Sequence, residues 1–162
     1  MPNTIAFSVV GSLLDYCNYI LYKTTKANIT KLQHVQKSFV RVVLKMPRRT
    51  HADDLLAQLH WLPVSYHIKY KIALITYKAL KFGQPRYLGD LLIHQHQVHT
   101  TRSEGQYRLY QPVPNSQTSS RGFRYASSSI WNLLPPDLLI KETVPAFKTG
   151  VKTYMFLSAY EC

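Results

Sequence analysis

The stretch Leu59-His60-Trp61-Leu62-Pro63-Val64 interrupts a region whose apolar residues otherwise recur with helical spacing. Trp61 is the largest apolar side chain in its segment, as Trp131 is in its own, and we expect both to be buried in a core. Pro63 suits the start of a helix, because the first turn does not need the N–H group that proline lacks. The stretch therefore predicts a turn between two helices, anchored by a buried tryptophan.

The first half of the chain is predicted to be helical throughout. Apolar spacing of three and four predicts helices over residues 4–22, 52–59 and 63–83. Another helix is predicted to begin at a cap, Asn28 or Thr30, and to run to Lys45 before Pro47 stops it. Its predicted buried face consists of Leu32, Val35, Phe39, Val42 and Met46.

The second half is more irregular. Residues 94–106 and 112–122 are polar and predict loops, whereas short aromatic runs predict a β-hairpin over residues 107–125. A last helix is predicted from Pro145, with one face formed by Phe147, Val151 and Tyr154. The predicted fold class is mostly α, a helical bundle with a small β-hairpin in the C-terminal half.

The composition indicates a polyanionic partner. The 162 residues include 20 Lys+Arg and 8 Asp+Glu, which gives a net charge of +12. Such a balance favours nucleic acid as the partner, with an anionic membrane surface second. No stretch approaches the roughly 20 apolar residues that span a bilayer, and Thr4 to Leu14 lacks the basic start of a signal peptide. We expect no membrane association and a location in the nucleus or cytoplasm.

Three segments in order carry a resemblance to a known family: Ser12-Leu13-Leu14-Asp15-Tyr16-Cys17-Asn18, Leu59 to Val64, and Ile130-Trp131-Asn132-Leu133-Leu134-Pro135. Lys31-Leu32-Gln33-His34-Val35-Gln36-Lys37 and Tyr77-Lys78-Ala79-Leu80 add to the pattern. Together they resemble the C-terminal part of the polyprotein of jockey-like non-LTR (LINE) retrotransposons. In that family the region begins within the thumb of the reverse transcriptase and follows its catalytic palm.

The resemblance implies a thumb-like bundle without catalytic activity. Residues 1–50 would be a partial thumb-like segment, and residues 51–162 the post-thumb C-terminal region with helices, the hairpin over 107–125 and the terminal helix. The thumb and the region after it are thought to hold template RNA and primer beside the palm. The positions of this chain that match those roles are Lys31, Arg41, Lys71, Arg102 and Lys148.

Two stretches invite an enzymatic interpretation. His51-Ala52-Asp53-Asp54 resembles the aromatic-x-Asp-Asp motif that binds metal ions in reverse transcriptases. It is followed by a helical rather than a strand pattern and has no third carboxylate placed near it, so the acids are predicted to begin a helix. The run His94-Gln95-His96-Gln97-Val98-His99 is predicted to be a solvated loop rather than a metal site. We therefore predict no catalytic residue, no metal and no cofactor.

Basic residues are the candidates for binding RNA or DNA. No acid occurs between Asp15 and Asp53. Lys37, Arg41 and Lys45 would stack on one helix face, about 130° from the apolar face. The complete candidate set is Lys31, Lys37, Arg41, Lys45, Arg48, Arg49, Lys71 and Lys78. The alternative for such a set is a solvated basic face without a partner.

The helix over 63–83 has tyrosines on one side and isoleucines on the other. Tyr66, Tyr70 and Tyr77 could stack on bases between lysines, but a helix that is apolar on both sides is more commonly buried, and we predict burial.

Two other functions remain open. The chain could be a protein-interaction remnant, which an exposed apolar first helix would favour, also through self-association. It could instead be a decayed element copy with no maintained activity.

Overall fold

The computed structural model describes residue 12, residues 18–95 and residues 108–160. This part of the chain is mostly helical, which confirms the predicted class. Its α-helices are α1 (Lys26–Val43), α2 (Ala52–Gln58), α3 (Val64–Phe82), α4 (Arg86–Gly89), α5 (Phe123–Trp131), α6 (Pro136–Leu139) and α7 (Val144–Tyr160). Short 3₁₀ helices cover Asn18–Leu21 and Ser119–Arg121.

The chain forms two compact units. The first comprises the described residues up to Lys71 together with those from Tyr154 onward, and the second comprises Ile72–Thr153. The division falls within α3 and within α7. The predicted boundary at residue 50 refers to segments of the resembled family and stays a prediction.

The core of the first unit lies where α1 packs against α2. It is formed by the buried residues Val40, Ala52, Leu55, Leu56 and Trp61. Trp61 is only 9% exposed, which confirms that it is a core residue. The turn after α2 therefore closes over the same apolar cluster that α1 and α2 share.

The buried face of α1 differs from the predicted one. Val35 is 54% exposed and Val42 is 73% exposed, although both were expected in the core. The residues of α1 that are buried are Val40 and a glutamine, Gln36. The prediction was wrong because apolar spacing treats every glutamine as solvated, whereas Gln36 has buried hydrogen-bonding partners.

These partners belong to the turn between α2 and α3. Gln36 Nε2 donates to the carbonyl oxygen of Leu62 at 2.9 Å, and Gln33 Nε2 donates to Gln36 Oε1 at 2.9 Å. Gln33 Oε1 accepts the N–H of Val64, the first residue of α3, at 2.9 Å. The first turn of a helix leaves N–H groups without intrahelical partners. A side chain from α1 therefore satisfies one of them, and the pair fixes where α3 begins.

The terminal helix secures the same turn. Tyr160 Oη donates to the carbonyl oxygen of Trp61 at 2.7 Å, and Tyr66 Oη donates to that of Ser158 at 2.9 Å. His60 stacks on Phe156 with ring centroids 5.3 Å apart. Hydrogen bonds from both α1 and α7 therefore hold this turn, all within the first unit.

The second unit is built around stacked aromatic rings. Phe147 lies between Tyr77 and Trp131, with centroid distances of 4.1 and 5.9 Å. All three are nearly fully buried, and Tyr77 Oη donates to the carbonyl oxygen of Lys141 at 2.8 Å. Trp131 is therefore a core residue, as predicted. In the part of α7 that belongs to the first unit, Met155 is buried where Tyr154 was expected.

Asn132 binds an extended segment by its side-chain amide. Its Oδ1 accepts the N–H of Leu109 at 2.9 Å, and its Nδ2 donates to the carbonyl oxygen of Leu109 at 2.8 Å. On the other side, Leu109 forms an isolated antiparallel bridge with His94. The amide thus replaces a neighbouring strand, and Leu109 is buried with both backbone groups bonded.

The predicted hairpin over residues 107–125 is not formed in its described part, residues 108–125. The structure contains no β-strand within the described ranges, and α5 begins at Phe123. Ser127 Oγ donates to the carbonyl oxygen of Phe123 at 2.6 Å, and Ser128 Oγ donates to that of Arg124 at 3.0 Å. Because these bonds satisfy the hydroxyl groups, the serines can be buried inside a helix. The prediction was wrong because a short aromatic run suits a helix as well as a strand, and the run that ends at Tyr125 forms the first turn of α5.

The other helix predictions are confirmed where they can be compared. α2 and α3 lie close to the expected bounds, and α7 begins close to the expected Pro145. α1 begins at Lys26, contains both proposed caps, Asn28 and Thr30, and ends at Val43 rather than Lys45. Of the helix predicted over 4–22, the structure describes Ser12, which is helical, and the end of the segment, which contains the 3₁₀ turn Asn18–Leu21. The histidines at 96 and 99 and the loop after residue 95 also lie outside them. No described helix is long and apolar enough to cross a membrane.

We expect Gln36→Ala to destabilise the protein more than Val35→Ala. The first change leaves the Leu62 carbonyl without its buried partner, which costs about 1–3 kcal/mol. The second removes an exposed side chain from the same helix, and a change of about 0.5 kcal/mol or less is expected. Urea unfolding followed by circular dichroism measures both. A larger loss for Val35→Ala would show that α1 buries the apolar face predicted from the sequence.

The stability of the first unit should decrease at high pH through Tyr160. Burial, and secondly the nearby Asp53 carboxylate, raise the pKa of Tyr160 to about 12. An unfolded tyrosine ionises near 10, so the neutral phenol contributes stability below pH 10 that is lost as the pH rises to 12. Tyr160→Phe should unfold more easily at pH 8 and lose less stability between pH 10 and pH 12. Equal pH dependence of the two proteins would contradict the assignment.

Candidate nucleic-acid interface

The basic stripe predicted on α1 is shorter in the structure. The helix ends at Val43, and Lys45 has a φ of 54°, in the left-handed region. The Met46 N–H donates to the carbonyl oxygen of Arg41 at 2.8 Å, and the Lys45 N–H donates to that of Val42 at 3.2 Å. These two bonds form a Schellman motif, which ends a helix. Lys45 therefore does not continue the i, i+4 row of Lys37 and Arg41.

Lys37 is paired with an acid from another helix. Its Nζ lies 2.7 Å from Asp53 Oδ2, and both side chains are partly exposed. The sequence around Lys37 contains no acid, so the pair depends on α2 packing against α1. An exposed pair of this kind adds little to stability, but it removes Lys37 from the free cations of this surface.

Arg41 connects α1 to the end of the following loop. Its Nε donates to the carbonyl oxygen of Thr50 at 3.1 Å, and its Nη1 donates to that of Lys37 at 3.2 Å. The guanidinium group therefore has bonds within the fold on two sides. Its main contribution is to hold the loop against the helix.

The loop between the end of α1 and Thr50, to which Arg41 is bonded, carries the exposed charge. We call Lys45-Met46-Pro47-Arg48-Arg49 the basic loop. Lys45, Arg48 and Arg49 are exposed, and their side chains form no ion pair or hydrogen bond within the part of the chain that the structure describes. The Thr50 N–H donates to the carbonyl oxygen of Pro47 at 3.1 Å, which closes a turn at the arginines. The loop thus presents three cations on a backbone bonded at both ends.

The remaining predicted basic residues are spread over both units. Lys31 is exposed on α1, Lys71 is half-buried and interacts within the fold, and Lys78 is exposed on the part of α3 that belongs to the second unit. Lys148, which the resemblance adds, is exposed on α7, and Arg102 lies outside the described residues. Lys37, Arg41 and the basic loop are the members that the fold brings into one continuous region.

The tyrosines of α3 serve the core, as predicted. Tyr70 is 5% exposed and Tyr77 is 2% exposed, so neither ring offers a face to a base. Tyr66 is partly exposed, and its hydroxyl is bonded to α7.

The acidic pair Asp53-Asp54 occupies the first turn of α2, as expected for a helix start. Asp53 binds Lys37, and His51 Nδ1 lies 3.9 Å from Asp54 Oδ2. Among the residues with described positions, no group of three or more His, Cys, Asp or Glu is placed to hold a metal ion. His94, the described member of the histidine run, is exposed and bridges to Leu109.

Sequence reasoning missed two features of this kind. One is that Arg41 holds the end of the basic loop at Thr50. The only local signal in the sequence was Pro47, which predicted the end of the helix and the start of a loop. The other is a cavity of about 250 Å³ in the second unit, bordered by Lys81, His94, Trp131 and Lys141. These four residues are too far apart in the sequence for any motif to connect them.

We expect Lys45→Gly to stabilise the protein and Lys45→Ala to leave its stability nearly unchanged. Both remove the same charge, but only glycine relieves the left-handed strain, with a net gain of about 0.5–1 kcal/mol after its extra unfolded-state entropy. Urea unfolding of the two variants provides the comparison. Equal stabilities would mean that Lys45 does not hold this conformation.

Comparison with protein-family models, with curated proteins and with solved structures finds no match to this chain. Any function must therefore be argued from the residues and geometry described above.

Proposed function

We propose that this chain binds RNA or DNA through phosphate contacts made by the basic loop, as a non-catalytic segment of a retrotransposon reverse transcriptase. The observation that supports the proposal most directly is the group of three exposed, unpaired cations at Lys45, Arg48 and Arg49. They lie on a chain with a net charge of +12. A surface of this type attracts the phosphate backbone and gains affinity by releasing its counterions.

The way the loop is held also favours binding. Binding costs less entropy when the contacting groups are already fixed in place. The Schellman bonds at Lys45 and Met46 and the Arg41 bond to Thr50 fix the backbone on both sides of the arginines. Arginine can donate two parallel hydrogen bonds to one phosphate. Arg48 and Arg49 are therefore the residues that we expect to bind most strongly.

The proposed origin rests on the order of the motifs. The two glutamines of the Lys31 to Lys37 segment bind the Leu59 to Val64 segment, so two stretches that carry the resemblance are packed together. A thumb-like role for the first unit would place the basic loop beside a template–primer duplex. The proposal assigns no polymerase chemistry to this chain, and either the nucleus or the cytoplasm is consistent with it.

A second candidate function is protein interaction. Val35, Val42 and Met46 leave apolar surface exposed along α1 and at its end, at 54, 73 and 43%. The affinity of a protein partner for this surface would depend little on salt, because the contacts would be apolar. Salt dependence therefore separates the two candidates.

The test of the proposal is the salt dependence of RNA and DNA binding, measured by fluorescence anisotropy with labelled oligonucleotides. Replacing Lys45, Arg48 and Arg49 together by alanine should reduce the slope of log Kd against log salt concentration by about 2–3, at 0.7–0.9 for each lost phosphate contact. The matched control replaces two arginines and one lysine that are exposed in the second unit, namely Arg86, Arg121 and Lys152. It should change the slope by less than half as much.

A single variant tests whether the ion pair matters. Lys37→Ala should leave the slope nearly unchanged, because Asp53 already neutralises this lysine.

If the basic-loop variant and the control shift the slope equally, the charge acts as a whole and the loop is not the interface. If neither binds less RNA or DNA than the unmodified protein, the proposed function is wrong.

A further inference from the structure

The cavity of the second unit has apolar walls and a cationic border. Its volume is about 250 Å³. Leu80, Leu139 and Ile140 contribute aliphatic surface, and Trp131 and Tyr77 lie at its buried side. Apolar walls with a few convergent polar groups are typical of sites for small molecules.

The polar border of this cavity carries two positive charges, both from lysines. Lys81, Lys141 and His94 border the cavity, and no acidic side chain lines it. These three side chains are exposed and form no ion pair within the described residues. Burial, and secondly the nearby Glu142 carboxylate, raise the pKa of Tyr77. The Tyr77 hydroxyl donates to the carbonyl oxygen of Lys141.

The walls are fixed before any ligand arrives. Tyr77 and Trp131 are held by stacking on Phe147, and Asn132 holds the Leu109 segment to which His94 is bridged. Lys141 is positioned through its own carbonyl group. A preformed site of this kind loses little entropy on binding.

We propose that this cavity binds a small anion with a flat apolar body, the chemical class to which nucleoside monophosphates belong. The apolar walls would contact the flat body, and Lys81 and Lys141 would contact the anionic group. A volume of about 250 Å³ lies just below the range of about 300–1,000 Å³ that is usual for small-molecule sites, which favours a small ligand. The site is independent of the basic loop, so it stands or falls separately from the proposed function.

The test is isothermal titration of the full chain with adenosine monophosphate, adenosine and inorganic phosphate. The monophosphate should bind in the micromolar to millimolar range, and each fragment should bind at least about tenfold more weakly, because each makes only one of the two kinds of contact. Binding of phosphate alone with equal affinity would overturn the proposal in favour of simple anion attraction, and so would the absence of binding by the monophosphate.

Variants localise the site. Lys81→Ala with Lys141→Ala should weaken monophosphate binding about tenfold or more, whereas Arg86→Ala with Lys152→Ala removes the same number of charges and should not. Ile140→Trp should block the cavity from its exposed edge, because Ile140 is 61% exposed and a larger side chain there need not enter the core. Circular dichroism and the Tm check that each variant is folded. Unchanged binding by both the double lysine variant and Ile140→Trp would overturn the assignment.

Two further measurements show whether the ligand is a free mononucleotide or the end of a strand, and whether its site is separate from the basic loop. Competition by a short RNA strand would assign the bound nucleotide to a strand end, and its absence would assign it to the free mononucleotide; both results place a nucleotide in this site. Replacing the cations of the basic loop should leave monophosphate binding unchanged. A parallel loss there would show that the mononucleotide binds at the basic loop instead, which contradicts this proposal.

Discussion

The structure of the first unit depends on how the turn between α2 and α3 satisfies its backbone. Leu62 and Val64 have polar groups that are removed from water when Trp61 enters the core, and an unbonded buried group of this kind costs about 1–3 kcal/mol. Gln36 and Gln33 of α1 supply the partners, and Tyr160 of α7 supplies one for Trp61. Hydrogen bonds from α1 and from α7 therefore converge on the turn between α2 and α3. This also sets how α1 is turned about its own axis. Gln33 and Gln36 lie roughly opposite Val35 and Val42 on the helix, so the valines face outward when the glutamines bond to the turn.

In the second unit, the side chain of one asparagine supplies hydrogen bonds to the backbone of a buried residue. Leu109 is buried on an extended segment that has a single bridge to His94 on one side. The amide of Asn132 occupies the other side and binds both backbone groups of Leu109. This arrangement places Asn132 directly after Trp131, whose ring stacks on Phe147. The Trp-Asn pair thus joins the aromatic core to the extended segment, and Trp131 and His94 also line the cavity.

Folding divides the basic residues of the first unit by role. Lys37 is neutralised by Asp53, and Arg41 holds the loop end at Thr50, so both contribute to structure. Lys45, Arg48 and Arg49 are left with exposed side chains on a loop that these bonds support. A charge count treats all five alike. The bonds of the folded chain make the loop, rather than the helix face, the better candidate for contact with phosphate.

The sequence by itself determined the features that depend on local spacing. Apolar residues at intervals of three and four predicted α2, α3 and α7, and the size of Trp61 and Trp131 predicted their burial, because both signals act within one segment. What the tertiary structure decided depends on partners that are distant in the chain. Gln36 is buried because Leu62 accepts its hydrogen bond, and Lys37 is paired because α2 brings Asp53 to it. α5 begins at Phe123, where a strand was expected, because a short aromatic run does not by itself distinguish a strand from a helix. Polar side chains look solvated in a sequence, and only the packed chain shows which of them have partners that permit burial.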